Sequence, residues 1–124
     1  MKNRRKILLV EDDIFLMRMY SAKFADEDCE VRGAREGREV IAEARDFKPS
    51  LILLDMVLPD EGGLAVLKRL KEEPALARIP VILIADVSSP SDRERGRTLG
   101  AVEYIVKMHL EPSEFVEKAL SFAE

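Results

Sequence analysis

Two short runs in the middle of the chain contain only large aliphatic residues, and they restrict the fold more than any other feature. Residues 51–54 and 81–84 are all Leu, Ile or Val, with no polar side chain in either run. Strands of a parallel sheet have this composition when helices cover both of its faces. The two runs therefore predict central strands of an α/β domain.

Short apolar runs alternate with longer amphipathic stretches along the rest of the chain. Residues 7–10 predict the first strand, residues 30–34 a weaker second strand and residues 103–106 the fifth. Apolar residues at helical spacing follow the strands; Asp13 is placed to cap the first helix and Gly100 to end the fourth. Five βα units of this length predict a parallel sheet in which right-handed crossovers bring all strand carboxyl ends to one edge.

The size and composition of the chain fit one domain in a reducing compartment. We expect residues 1–124 to form a single domain without an output domain, because this length leaves no room for a second one. Cys29 is the only cysteine, which favours a cytoplasmic location. No apolar run approaches the roughly 20 residues that span a bilayer, and a net charge of −4 gives no general attraction to nucleic acid or anionic lipid.

Charged residues follow three of the predicted strands at the shared edge. Glu11 and Asp12 come directly after the first strand, Asp55 ends the third and Lys107 ends the fifth. Carboxylates gathered this closely repel one another, and a divalent cation such as Mg²⁺, which prefers hard oxygen ligands, relieves that repulsion. Beside such a cation, Asp55 has the position of a nucleophile for phosphoryl transfer, and Lys107 can stabilise the transferred group.

Other chemistries fit these residues less well. A phosphatase with an aspartyl nucleophile needs a second acid two positions further on, where this chain has Val57. A nucleotide site would need a glycine-rich loop after the first strand, and a zinc site would need more than one cysteine and one histidine. The structural alternative is a solvated acidic cluster that only caps strand and helix ends, but it does not explain a lysine at the end of the fifth strand.

Over essentially its whole length the sequence resembles the receiver domains of response regulators, which serve two-component signalling. The resemblance implies a five-stranded, doubly wound parallel sheet of flavodoxin-like (βα)5 topology with strand order 2-1-3-4-5. It rests on motifs in one order and spacing: residues 7–13, 53–55 and 79–82, with Pro59, Gly63, Gly100, Ala101, Tyr104 and Lys107.

The resemblance also implies a role for each site residue. Asp55 would be the phosphoacceptor, and Lys107 would pair with the phosphoryl group. Asp12 and Asp55 would bind Mg²⁺ directly, together with the backbone carbonyl of Val57, while Glu11 would act through a bound water. The phosphodonor would be a sensor histidine kinase or a phosphotransfer protein, and the output a contact with a downstream protein. Neither nucleic acid nor a membrane would be contacted directly. Such a domain assists its own phosphorylation in a phosphorelay and is not a turnover enzyme.

The chain departs from the family pattern at the positions that normally form the switch. Receivers usually have Thr or Ser at the end of the fourth strand, where this chain has Ala85, followed by Asp86 in place of a small residue. A hydrogen bond to a charged group contributes about 1.5–3 kcal/mol, so its loss weakens coupling by roughly one to two powers of ten. A second hypothesis is therefore a receiver-like interaction module whose conformation does not respond to phosphorylation.

Three further expectations follow from single positions near the site. Tyr104 stands where many receivers have an aromatic switch residue, and we expect its ring to rest inward regardless of phosphorylation; the alternative is an ordinary half-buried strand residue. The family usually has proline after the lysine, so the Lys107–Met108 peptide is expected to be trans. Val57 and Val87 flank the site with apolar side chains that hold water poorly, so phospho-Asp55 is expected to hydrolyse slowly.

Overall fold

Five strands alternate with five helices along the chain. In this computed structural model, which describes residues 4–123, the strands are β1 (Arg5–Val10), β2 (Cys29–Ala34), β3 (Leu51–Asp55), β4 (Val81–Ala85) and β5 (Glu103–Val106). The helices are α1 (Ile14–Asp26), α2 (Val40–Phe47), α3 (Gly63–Glu72), α4 (Pro90–Leu99) and α5 (Pro112–Leu120). Short 3-10 turns, Gly37–Glu39 and Lys107–His109, precede α2 and follow β5.

All five strands run parallel in one sheet with the order β2-β1-β3-β4-β5, which confirms the predicted doubly wound topology. The register keeps the strand ends level. Val10 of β1 pairs with Leu54 of β3, and Ala85 of β4 pairs with Val106 of β5. The carboxyl ends of β1, β3, β4 and β5 therefore lie side by side at one edge, where the predicted site residues follow them.

Helices cover both faces of the sheet, and alternate strand residues pack into two apolar layers. Ile52 and Leu54 of β3 pack with side chains of α2 and α3, whereas Leu51 and Leu53 pack with side chains of α1 and α5. Every residue of β3 and β4 is buried, as the two aliphatic runs predict. Full burial of one such side chain stabilises the fold by about 1.5–3 kcal/mol, so these central strands anchor the edge that carries the site.

Local expectations from single residues are confirmed at three places. Asp13 Oδ1 accepts the backbone N–H groups of Phe15 and Leu16 at 2.9 and 3.1 Å, and so caps the start of α1. Gly100 ends α4 in the left-handed conformation, with φ +108°. Residues 4–123 contain no cis peptide bond, so the Lys107–Met108 peptide is trans.

Within residues 4–123, no helix combines the length and the apolar composition that crossing a membrane requires.

Gly63 starts α3 in close contact with the end of β3. A Cβ atom at Gly63 would collide with the backbone oxygen of Asp55 and lie 2.9 Å from Cα of Met56, whereas at Gly62 the nearest atom would be 3.8 Å away. We expect Gly63→Ala to lower the free energy of unfolding by about 2 kcal/mol, because backbone atoms cannot yield cheaply. Gly62→Ala, at the helix N-cap, should cost less than about 1 kcal/mol. Urea unfolding measures both, and equal losses would contradict the close approach.

Candidate functional site

Three carboxylates lie together at the carboxyl edge of the sheet. Glu11 and Asp12 follow β1, and Asp55 ends β3. One carboxylate oxygen from each of these residues lies within 4.8 Å of the other two. Glu11 and Asp55 are buried, whereas Asp12 is more open to solvent. Such a cluster is compatible with metal binding, because a cation would balance three neighbouring negative charges.

The amine of Lys107, which follows β5, lies among these carboxylates. Its Nζ donates a hydrogen bond to Asp55 Oδ2 at 2.8 Å and lies 2.9 Å from Glu11 Oε1. The lysine is only 8% exposed. Burial alone would lower the pKa of Lys107, but the bond to Asp55 and the nearby Glu11 outweigh it and raise the pKa above its usual value. The amine is therefore a fixed positive charge inside the site.

Glu11 is the most deeply buried acid of the cluster, at 1% exposure. Burial raises its pKa to about 7, although Lys107 and the backbone N–H of Asp13 favour the charged form. Its contact with Lys107 is an ion pair rather than an aligned hydrogen bond, and Oε1 accepts no hydrogen bond from residues 4–123. A buried oxygen with unused lone pairs, beside two other carboxylates, fits a hard divalent cation and its water shell.

Two exposed valines follow the strands that end at the site. The backbone N–H of Val57 donates to Asp55 Oδ1 at 3.1 Å, which orients the carboxylate, while the Val57 side chain is 71% exposed. Val87, in the loop after β4, is 68% exposed. Both side chains are apolar and cannot hydrogen-bond a water molecule.

The end of β4 brings no hydroxyl group to the site. Ala85 is its last residue and is buried. The side chain of Ser89, a hydroxyl further along the loop, accepts the N–H of Asp92 at 3.2 Å and so caps α4 instead.

Asp86 forms a contact that the sequence analysis did not predict. Its Oδ1 lies 3.4 Å from Lys107 Nζ, and its side chain is 75% exposed. In the sequence, Asp86 stands out only as an acid where the family has a small residue. The sheet register could have located this contact. Ala85 of β4 pairs with Val106 of β5, so the residues that follow these two strands, Asp86 and Lys107, leave the sheet side by side.

Tyr104 of β5 rests inward, as predicted. Its ring is buried, and its hydroxyl donates to the backbone oxygen of Val87 at 3.0 Å. The guanidinium carbon of Arg93 lies 4.9 Å from the ring centroid, within the range of a cation–π contact. The hydrogen bond to the loop after β4 was not predicted. Whether the ring stays inward after phosphorylation is still a prediction.

Sequence comparison places the chain in a known family. Residues 7–119 match the family described as the response regulator receiver domain. The polar-differentiation response regulator DivK of Brucella anthropi is 34% identical over 118 residues, and the match covers 95% of each chain. Two other curated relatives are much longer, and the chain spans only 14% and 22% of their length.

Solved structures show the same fold. The Mn²⁺-bound form of response regulator Rcp1 superposes with a TM-score of 0.83 at 29% identity, covering 95% of this chain and 93% of that chain. The phosphorylated cyanobacterial phytochrome response regulator RcpA superposes with a TM-score of 0.84 at 30% identity, covering 98% of each chain. By sequence and by fold, the chain belongs to the family of response regulator receiver domains.

Proposed function

We propose that the chain is a single cytoplasmic receiver domain that accepts a phosphoryl group on Asp55 with Mg²⁺ bound and signals by protein–protein contact. The observation that carries the proposal is the buried amine of Lys107, 2.8 Å from Asp55 Oδ2 and 2.9 Å from Glu11 Oε1. Acids that only cap strand ends would be satisfied by solvent and would not need a buried lysine. The phosphorylated form of the relative RcpA supports the same reading.

The residues of this chain fit the metal that the family uses. Asp12 and Asp55 would bind Mg²⁺ directly, with the backbone carbonyl of Val57, and Glu11 would act through a bound water. Bound there, the cation would neutralise negative charge on the phosphoryl oxygens. The Mn²⁺-bound form of Rcp1 supports a divalent cation in this fold.

The residues of the chain prepare Asp55 for attack on phosphorus. The N–H of Val57 holds one carboxylate oxygen and Lys107 holds the other, so the carboxylate has a fixed orientation before the donor arrives. An Asp55 oxygen forms the new bond to phosphorus, and the bond from phosphorus to the donor breaks. Lys107 stays positively charged and can then pair with the phosphoryl group. The donor would be a sensor histidine kinase or a phosphotransfer protein, and a downstream protein would recognise the product.

A second candidate function is an interaction module whose conformation does not respond to phosphorylation. One observation favours it: Ala85 ends β4, where a hydroxyl would otherwise bond the phosphoryl group. In this candidate Asp55 would still accept a phosphoryl group, but the conformation of the surface would not change when it does.

Intact-mass measurement after incubation with phosphoramidate and Mg²⁺ tests the proposal. The wild-type chain should gain one phosphoryl group, and Asp55→Asn should gain none. Removal of Mg²⁺ with a chelator should prevent the gain in the wild type. A wild-type chain that stays unmodified, or an Asp55→Asn variant that is modified equally, would sink the proposal.

The phosphorylated form is expected to be long-lived, because Val57 and Val87 leave the attacking water without a hydrogen-bond partner at the opening. Val57→Asn should shorten the lifetime roughly 10-fold, since an amide can orient that water. Val102→Asn, at an exposed valine away from the opening, is the matched control and should have no effect. Loss of the phosphoryl group is followed by mass after the donor is removed, and a wild-type half-life of seconds would contradict the expectation.

A further inference from the structure

A fourth carboxylate, Asp86, stands at the opening of the site, outside the acid cluster. Its Oδ1 lies 3.4 Å from Lys107 Nζ, and 75% of its side chain is exposed. The amine does not need this partner, because Asp55 and Glu11 already hold it at 2.8 and 2.9 Å. The charge of Asp86 therefore acts mainly on whatever approaches Asp55 from solvent.

The groove beside Lys107 is otherwise acidic and apolar. It runs between α1 and the start of α5 and has a volume of about 370 Å³. Asp86, Glu111 and Glu114 line it, and among the described residues that line it Lys107 is the only lysine or arginine. His109 is exposed at the same place. An anion that approaches Lys107 from this groove meets three acids, and two buried acids already share the charge of the lysine.

We propose that Asp86 makes the site selective for phosphodonors that carry a positive charge on the leaving group. The inference rests on the proposed function and adds a residue that selects the donor by its charge. At the distances and near-surface dielectric of this opening, one carboxylate changes the rate of an approaching unit charge by about 3- to 10-fold. A donor with a cation beside its phosphorus cancels that repulsion, and a donor with only negative charges does not.

Two small donors differ in this respect. Near neutral pH, acetyl phosphate carries two negative charges, whereas phosphoramidate carries an ammonium group on its phosphorus. In both reactions an Asp55 oxygen forms a bond to phosphorus, the bond from phosphorus to the leaving group breaks, and its electron pair leaves with acetate or with ammonia. Neither reaction needs another reactant. A phosphohistidine with a protonated ring resembles phosphoramidate, since the nitrogen bonded to phosphorus belongs to a cation.

Initial rates of phosphorylation by the two donors, measured by intact mass at saturating Mg²⁺ and low salt, test the proposal. Asp86→Asn should react about 3- to 10-fold faster with acetyl phosphate than the wild type does. With phosphoramidate, the initial rate of the variant should be similar to or lower than that of the wild type. High salt should shrink the difference, because the charges are near solvent. Asp26→Asn removes the same charge from the far end of α1 and should behave as the wild type.

The affinity for Mg²⁺, measured by calorimetric titration, should change in the opposite direction to the rate with acetyl phosphate. A carboxylate attracts a cation and repels an anion, so Asp86→Asn should bind Mg²⁺ about 3-fold more weakly while it reacts faster with acetyl phosphate. Asp86→Glu keeps the charge and should keep both wild-type values. If Asp86→Asn lowers both the rate with acetyl phosphate and the Mg²⁺ affinity, the selection by charge is contradicted. An unchanged ratio of the two donor rates, in a variant that still accepts a phosphoryl group, would also contradict it, and the proposed function would still stand. A wild type that accepts nothing from either donor would overturn the proposed function and this inference with it.

Discussion

Replacing Lys107 with methionine is expected to slow phosphoryl acceptance at least about 100-fold, the usual cost of removing one donor that stabilises transition-state charge. Methionine keeps the length of the side chain and removes the amine that contacts Asp55 at 2.8 Å. The measurement is the initial rate of mass gain with phosphoramidate at saturating Mg²⁺. Lys68→Met, at an exposed lysine of α3, is the matched control and should keep the wild-type rate.

The same substitution should destabilise the protein when Mg²⁺ is absent. Glu11 and Asp55 are buried, and without the amine they face each other with no cation between them. Breaking a buried ion pair by removing one partner costs about 3 kcal/mol or more. Mg²⁺ should then raise the unfolding free energy of Lys107→Met more than that of the wild type, because the variant binds the cation with greater negative charge. A variant with wild-type stability and a phosphorylation rate within 10-fold of the wild type would contradict both roles of the Lys107 amine.

Phosphorylation is expected to leave Tyr104 in place in the wild type, and Ala85→Thr is expected to make the ring responsive. The ring is already held inward by the Val87 carbonyl and Arg93, and no hydroxyl at residue 85 connects the phosphoryl group to that loop. A new hydroxyl bonded to the charged group would shift the equilibrium between loop conformations by about 10- to 100-fold.

Fluorine NMR of protein labelled with 3-fluorotyrosine measures this response directly. The chain has two tyrosines, and Tyr20, stacked on Phe115 in the opposite apolar layer, gives the second signal, which is assigned with a Tyr20→Phe variant. Only Ala85→Thr should show a phosphorylation-dependent shift of the Tyr104 signal. Ala85→Ser adds the hydroxyl with less volume and covers the case in which threonine overpacks this buried position. A large Tyr104 shift in the phosphorylated wild type would contradict the expectation.

The sheet and the placement of the acids could be predicted because both depend on local patterns. The aliphatic runs became β3 and β4, buried at every residue. Parallel topology then brings strand ends to one edge, so charged residues that follow different strands become neighbours without any knowledge of the loops. The second strand was weaker in the sequence because only two of its six residues are buried; it begins at Cys29, one residue earlier than predicted.

Contacts made by loops could not be predicted, because they depend on chain paths that neither periodicity nor strand order specifies. The Tyr104 hydroxyl reaches the Val87 carbonyl across 17 positions of sequence. Asp60, in the loop before α3, accepts the N–H groups of Gly37 and Arg38 at 2.8 and 2.9 Å and so ties that loop to the turn before α2. These contacts fix the paths of the loops, whereas the strand ends determine which charged side chains meet at the edge of the sheet.

The most direct test of the account is a crystal structure with Mg²⁺ and beryllofluoride, compared with a structure without them. We expect a cation in contact with the carboxylates of Asp12 and Asp55, the beryllofluoride group on Asp55 within reach of the Lys107 amine, and Tyr104 inward in both structures. Beryllofluoride bound away from Asp55, or a cation that leaves Asp12 and Asp55 uncontacted, would contradict the central claim that these strand-end residues form one phosphoryl-accepting site.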